Sequence, residues 1–414
     1  MLPIVPVQPK HVSDYVSAAG EEAIESLRQA ALPLQGLRVL HVNSTAFGGG
    51  VAELLHTHVP LMNDLGIETS WMLIEGSDAF FAVTKAMHNA LQGAETQIDD
   101  QMRDAYWERI RGNAREMPRD FDVVVIHDPQ PAAMLCVLED EGARDGKWIW
   151  RCHIDLSAPY HLVWEFFEPI VNRFDAAIFT AEAYVQPGVA VPVRAFIPPS
   201  IDPLSPKNAP MRESAWHAVV QPFGVDPDLP IISQISRFDP WKDPLGVIDA
   251  FRLIRKEVPD IQLVMVGSLA HDDPEGMRYL DLTAEHAGDD PDIHLLTNLD
   301  GVGDSAVNAF QRASDVIVQK SLREGFGLVV AEGMWKWKPV VGGDVGGIRL
   351  QIEDGVNGYL VDGVGACAER VVELLRDPQR ARAMGEAGRE RVRERFLSLR
   401  EIEDTLRLIG SLAT

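Results

Sequence analysis

The sequence predicts an α/β protein built from two doubly wound units facing each other across a deep cleft. Three observations lead there. From about residue 37, short β-rich runs alternate with longer helical patterns; a proline-rich, aperiodic stretch interrupts the alternation at 197–211; the alternation then starts again. At 414 residues the chain exceeds the size at which single cores usually split.

In the first unit, the strand candidates are 37–43 (LRVLHVN), 69–74 (TSWMLI), 121–127 (FDVVVIH), 148–153 (WIWRCH), 176–180 (AAIFT) and 193–197 (VRAFI). Helical patterns fill much of the space between them, so a parallel sheet covered on both faces is expected. The stretch 197–211 (IPPSIDPLSPKNAPM) reads as a linker. Beyond it, strands are expected at 231–236, 261–267, 293–298, 315–319 and 338–342, with helices near 244–256, 305–313 and 327–337. From about 366 the pattern is helical and strongly charged, and the last helix is expected to pack back on the first unit. The expected domains are therefore 1–200, 201–390 and a C-terminal helix at 391–414.

Composition narrows the function. With 62 acidic and 38 basic residues the formal net charge is −24, which repels nucleic acid and anionic lipid at long range. Cys136, Cys152 and Cys367 are far apart and odd in number, as expected of reduced thiols rather than a metal or redox motif. The N-terminus has prolines where a signal peptide needs a continuous apolar core, and no apolar run approaches membrane-spanning length. A cytoplasmic protein is the expectation, with a homodimer as the default assembly.

In open α/β sheets ligands sit beyond the carboxyl ends of the strands, so residues just after strands are the candidates. Gly48, Gly49 and Gly50 follow the first strand, where glycine makes sense only if the backbone turns sharply or something approaches it closely. The loop resembles half of a dinucleotide fingerprint, but Glu53 stands where the third glycine belongs. A nicotinamide-dependent oxidoreductase, with Glu75 near the next strand's end, is thereby weakened. His127, Asp128 and Gln130 follow one strand and His153 and Asp155 another. Lys85, His88, Asn89 and Gln92 share one helical face, which on physical grounds reads as solvated.

In the second unit, Arg237 and Lys242 lie five residues apart in a loop with two prolines, a spacing that can present a guanidinium fork and an ammonium to one anion. Glu324 precedes a helix and Glu332 lies inside it, while Gly325 and Gly327 leave backbone N–H groups open at the helix start. Two carboxylates so placed could accept hydrogen bonds from two hydroxyl-bearing rings. The bland alternative is a capping Glu324 and a solvated Glu332.

Glu324 to Glu332, read as E-G-F-G-L-x-x-x-E, resembles the paired-glutamate motif of the retaining glycosyltransferases of family 4, the glycogen and sucrose synthase-like group with the two-domain, Rossmann-like GT-B fold. At closer range HVNSTAFGGGVAELL, HDPQPAA, WRCHIDLS, PPSIDPLS, SRFDPWK, AHDDPEG and NAFQRASDVIVQ resemble the trehalose glycosyltransferring synthases. The resemblance implies transfer of glucosyl from a nucleoside diphosphate glucose (UDP- or ADP-glucose) to free glucose, giving α,α-trehalose. It implies that Glu332 holds the ribose hydroxyls, Glu324 the donor sugar, and Arg237 and Lys242 the leaving diphosphate, with His153 near the reacting centre. Gly49, Gly50, Gly325, Phe326, Gly327, Leu328, Asn298 and Leu299 are expected on the donor side; Asp128, Gln130, Asp155, Lys85, His88 and Asn89 on the acceptor side. Gly333 and Lys338 depart from the group's more usual alanine and glycine. No cofactor or bound metal is expected, with Mg²⁺ accompanying the diphosphate as the one variant. The alternatives are a phosphorylated or different acceptor sugar, an NAD-dependent oxidoreductase, and a non-catalytic nucleotide-sugar-binding regulator.

Overall fold

In the computed structural model the chain divides into two compact units, Met1–Pro199 with Ser398–Thr414, and Ser200–Leu397. The structure describes all residues except Gly48, 270–273 and Thr414, and the side chains of Pro274, Glu275 and Ala413 also fall outside it. AHDDPEG thus lies largely outside the described residues, as does Gly48.

The first unit holds six strands, β1 (Arg38–Asn43), β2 (Glu68–Leu73), β3 (Val123–His127), β4 (Lys147–Arg151), β5 (Ala176–Phe179) and β6 (Val193–Phe196), in the order β2-β1-β3-β4-β5-β6. Every pairing is parallel. That suits the residues: all five positions of Val123–His127 are buried, as in a strand covered by helices on both faces. Trp148, Trp150, Tyr106 and Phe167 fill one core. Ser77 and Asp99 cap the helices Asp78–Leu91 and Asp100–Glu116, their side chains accepting from Phe80 N and Met102 N and so satisfying otherwise open donors. The last helix, Ser398–Ala413, packs on helices Glu21–Ala31 and Gly50–Asp64 of this unit. Polar anchors hold it there: Ser26 Oγ donates to Glu403 Oε1 at 2.8 Å, and Arg151 Nη2 donates to Glu401 Oε1 at 3.1 Å.

The second unit also has six strands, β7 (Ile231–Ile235), β8 (Gln262–Gly267), β9 (Ile293–Thr297), β10 (Val316–Gln319), β11 (Val340–Gly343) and β12 (Tyr359–Val361), ordered β12-β11-β10-β7-β8-β9 and parallel throughout. The sequence reading expects five here and misses β12. At three residues it is too short to show a period, and only its pairing with β11 defines it.

Each sheet reverses its winding once. The chain places β2 on one side of β1 and β3 on the other; it runs β7, β8, β9 in one direction and then places β10 on the far side of β7. Loops leaving two strands on either side of such a reversal diverge and leave a crevice at the carboxyl edge. The switch points are β1/β3 in the first unit and β7/β10 in the second.

Much of the 197–211 stretch, expected as a linker, is packed against the second unit. Ser200, Ile201, Asp202 and Asn208 are buried. Its peptide groups are satisfied from the second unit: Asn308 Nδ2 donates to Pro206 O and Ala209 O, and Arg312 Nη2 to Asn208 O and Ala209 O. A buried loop must find such partners, and one helix supplies all four here.

Candidate active site

At the β7/β10 switch point the two following loops are tied together, Leu322 N donating to Trp241 O at 2.7 Å. The β7 loop closes into a short 3₁₀ turn, Pro240–Lys242, and Asp243 then takes a left-handed φ of 51° and caps helix Pro244–Glu257 by accepting from Gly246 N. Asp is among the few residues that tolerate that conformation. The turn aims Lys242 Nζ at Glu324 Oε2, 2.6 Å away, with only 15% and 9% of the two side chains exposed. Glu324 Oε2 also accepts from Ser321 Oγ at 3.1 Å and Gln319 Nε2 at 3.3 Å. Arg237 is not drawn in: its side chain stays 62% exposed, 3.6 Å from Asp239 Oδ2.

Glycines shape the loop carrying Glu324. Gly327 caps helix Leu328–Trp335 with a φ of 82°, and a Cβ there would stand 3.0 Å from Glu324 Cγ. From the other side, a Cβ on Gly347 would come within 2.4 Å of Gly325 O and Phe326 Cα, and Gly347 N donates to Glu324 O. Buried Gln351 donates to Phe326 O at 2.6 Å and Gly327 O at 3.2 Å. Phe326 is a packing residue, buried and 5.5 Å from the Phe396 ring.

Glu332 is not solvated either. It is 3% exposed, its Oε2 accepting from Gln311 Nε2 at 2.7 Å and its Oε1 lying 3.5 Å from Lys207 Nζ. Lys336, also buried, donates to Asn208 Oδ1 at 2.7 Å and to Glu332 O at 3.1 Å. Burial pushes this carboxyl upward, but the charges of Lys207 and Lys336 and the Gln311 bond outweigh it and hold the group below its ordinary value, hence ionised. The paired glutamates thus have separate cations: Lys242 for one, Lys207 and Lys336 for the other.

In the first unit the β1/β3 switch point carries the glycine loop and the segment after β3. Gly49 is extended, with φ −156°, and caps helix Gly50–Asp64, where a Cβ would meet nothing within 4 Å. Asp128 has a left-handed φ of 62° and accepts from His153 N at 2.8 Å. Burial pushes its carboxyl up to about 7, against the opposing pull of that bond and of Arg151. Asp155 accepts from Ser157 N at 2.8 Å, bracing its own loop, and Gln130 is half-buried beside this segment.

Residues 41–186 match the N-terminal domain of trehalose synthases, and residues 219–391 match the glycosyl transferases group 1. The chain is 48% identical over 412 residues, 98% of each chain, to the trehalose synthase of Rubrobacter xylanophilus. The chain belongs to the trehalose synthase family. A second relative, the trehalose synthase of Pyrococcus horikoshii, is 46% identical over 97% of both chains. The fold matches the α,α-trehalose-phosphate synthase (UDP-forming) of Burkholderia xenovorans with a TM-score of 0.70 at 15% identity, covering 92% and 100% of the two chains, which confirms two Rossmann-like domains of the GT-B kind. A member of the trehalose synthase family is a glycosyltransferase of trehalose metabolism, which displaces the oxidoreductase and regulator alternatives.

Within the family frame, the structure brings some predicted residues together and leaves others apart. Lys242, Glu324, Gly325 and Gly327 converge at the β7/β10 edge. Asn298 instead spends its amide on the main chain of Leu269, accepting at 2.7 Å and donating at 3.1 Å, while Leu299 is 63% exposed. Lys85, His88, Asn89 and Gln92 do not form the solvated face expected of them, for all four are half-buried. Lys207 and Gln311, partners of Glu332, were missed because they come from separate segments with no shared spacing, while Lys336, one helical turn beyond Glu332, stood at a readable spacing and was passed over. His41 was missed as well, since mid-strand histidine gives no local signal. Among the described residues no helix is long and apolar enough to cross a membrane.

Proposed function

We propose that the chain is a retaining glycosyltransferase making α,α-trehalose from a nucleoside diphosphate glucose, UDP- or ADP-glucose, and free glucose. The observation that carries this reading is the Lys242–Glu324 pair at the β7/β10 switch point. An ammonium held by a carboxylate at a strand edge is prepared for an incoming diphosphate, which would compete with Glu324 for the same charge and leave that carboxylate to accept from sugar hydroxyls. Glu332, ionised among Lys207, Lys336 and Gln311, suits a vicinal diol such as ribose.

The two-carboxylate route to retention needs a nucleophile and an acid about 5 Å apart. Glu324 and Glu332 each answer to their own cations and fit binding instead. We therefore assign a front-face transfer, in which the leaving diphosphate oxygen takes the acceptor's proton while Lys242, Arg237 and the N–H groups opening helix Leu328–Trp335 stabilise its charge. This requires no metal held by the protein, and Mg²⁺ would arrive with the diphosphate. Acceptor glucose is assigned to Asp128, Gln130, Asp155, Lys85, His88 and Asn89.

Incubation with glucose and each of UDP-, ADP- and GDP-glucose, with products separated by chromatography, tests the reading; trehalose is expected from at least one, and its absence from all overturns it. Glucose 6-phosphate in place of glucose tests the phosphorylated acceptor, and trehalose with the nucleoside diphosphate tests reversal. Gly49→Val tests the glycine loop. The backbone there is extended and a Cβ meets open space, so the melting temperature should hold while kcat falls on the order of a hundredfold through misplacement of the reacting groups. Undiminished turnover would remove Gly49 from the site.

A further inference from the structure

Three imidazoles form a chain across neighbouring strands of the first unit. His41 Nδ1 lies 2.9 Å from His127 Nε2, and His127 Nδ1 lies 2.9 Å from His153 Nε2. Both ring pairs are stacked, with centroids 5.2 Å apart. Because His41 pairs in register with Val125 and His127 with Arg151, the chain climbs from the middle of β1 to the carboxyl edge. All three rings line a cavity of about 20 Å³ with Leu54, His58, Met62, Arg151 and Glu401, room for one water. There His41 Nε2 is buried without a hydrogen-bond partner, and so is Arg151 Nη1. At the outer end His153 is half-buried, and among the described residues its Nδ1 has no hydrogen-bond partner.

Burial first holds all three rings below the ordinary histidine range, His41 at about 3; His58 adds to this at each, and Arg151 and the neighbouring imidazoles add to it at His127 and His153. Neutral rings carry one N–H each, and each of the two links needs one N–H facing one bare nitrogen. Only two arrangements satisfy both links: every proton on Nδ1, or every proton on Nε2. The second would aim a buried N–H from His41 into a cavity that already holds an unmet donor, Arg151 Nη1. The first puts a bare nitrogen there, so that one water in the cavity can accept from Arg151 Nη1 and donate to His41 Nε2, a complementary arrangement that two facing donors do not offer.

We propose that His41 and His127 lock His153 in its Nδ1–H tautomer, so that it presents a hydrogen-bond donor to a sugar hydroxyl at the carboxyl edge of the first sheet. The sugar rests on the proposed function; the tautomer does not. His41 and His127 are positioning residues.

Long-range ¹H–¹⁵N correlation on the full chain with ¹⁵N-labelled histidine should show the Nδ1–H pattern for all three. An Nε2–H pattern overturns the proposal, whatever the enzyme makes. His41→Phe keeps a ring but removes the inner donor, freeing His127 and His153 to change tautomer; kcat should fall about tenfold, the size of one neutral hydrogen bond. His41→Asn, whose amide N–H stands near the Nδ1 position, should restore most of it. Equal kcat in the two folded variants would also overturn the proposal. If trehalose is never formed while the Nδ1–H pattern holds, the function falls and the tautomer chain stands.

Discussion

Lys242→Ala should lower kcat by roughly ten- to a thousandfold, by analogy with the loss of one preorganised electrostatic donor. The ammonium lies 2.6 Å from Glu324 in a setting where little of either side chain reaches water, so its charge is poorly screened and cannot be replaced by solvent. Part of any loss could come from the protein rather than the reaction, since breaking a buried pair costs roughly 3–5 kcal/mol when the remaining charge has nothing else. Here Ser321 Oγ and Gln319 Nε2 stay on the carboxylate, which places the stability loss at the low end. Steady-state kinetics beside a thermal melt separate the two. Wild-type kcat in a folded Lys242→Ala enzyme would sink the assignment of Lys242 to the leaving group.

Glu332→Leu should be the most destabilising single change at the site. It strips the buried Lys336 and the mostly buried Lys207 of their carboxylate. Lys336 keeps Asn208 and a carbonyl, and Lys207 has some access to water, so about 3 kcal/mol is expected. That corresponds to a fall of roughly 10 °C in melting temperature for a unit of this size. The sign of the pH dependence follows from the depressed carboxyl. Its contribution is fully present above the ordinary glutamate value of 4.5 and is lost as pH falls through the lower folded value. The gap between wild type and variant should therefore close in acid, and a gap that persists unchanged there would show that Glu332 acts by packing instead. If Glu332 also holds the ribose, Glu332→Gln, which removes the charge but keeps an oxygen for Gln311 Nε2, should raise the donor KM and lose part of the same stability.

Much of the site was readable because it depends on short, local devices. Gly327 needs a left-handed backbone, Glu324 and Glu332 keep a set distance along one loop and helix, and the glycine loop ends a strand. The partners of those residues were not readable. Lys207 lies in a segment read as a linker, and it reaches Glu332 because Asn308 and Arg312 hold that segment in the second unit. Lys85, His88 and Asn89 share a helical face, but a period of 3.6 says only that residues share a face and not what covers it.

The alternation of strands and helices, the trehalose synthase family and the placing of candidate residues after strands were legible in the chain, because each is written in runs of neighbouring residues. Tertiary structure alone decided which side of β1 and β7 the next strand joins, and hence where the switch points fall. It also decided that Lys242 meets Glu324 while Arg237 stays outside, that Glu332 lies among Lys207, Lys336 and Gln311, and that histidines from β1, β3 and the loop after β4 touch. Apart from Lys336, one helical turn from Glu332, those outcomes depend on burial and on contacts between residues 21 to 125 positions apart, where removal from water sets the strength of each charge and hydrogen bond and no local pattern records the partner.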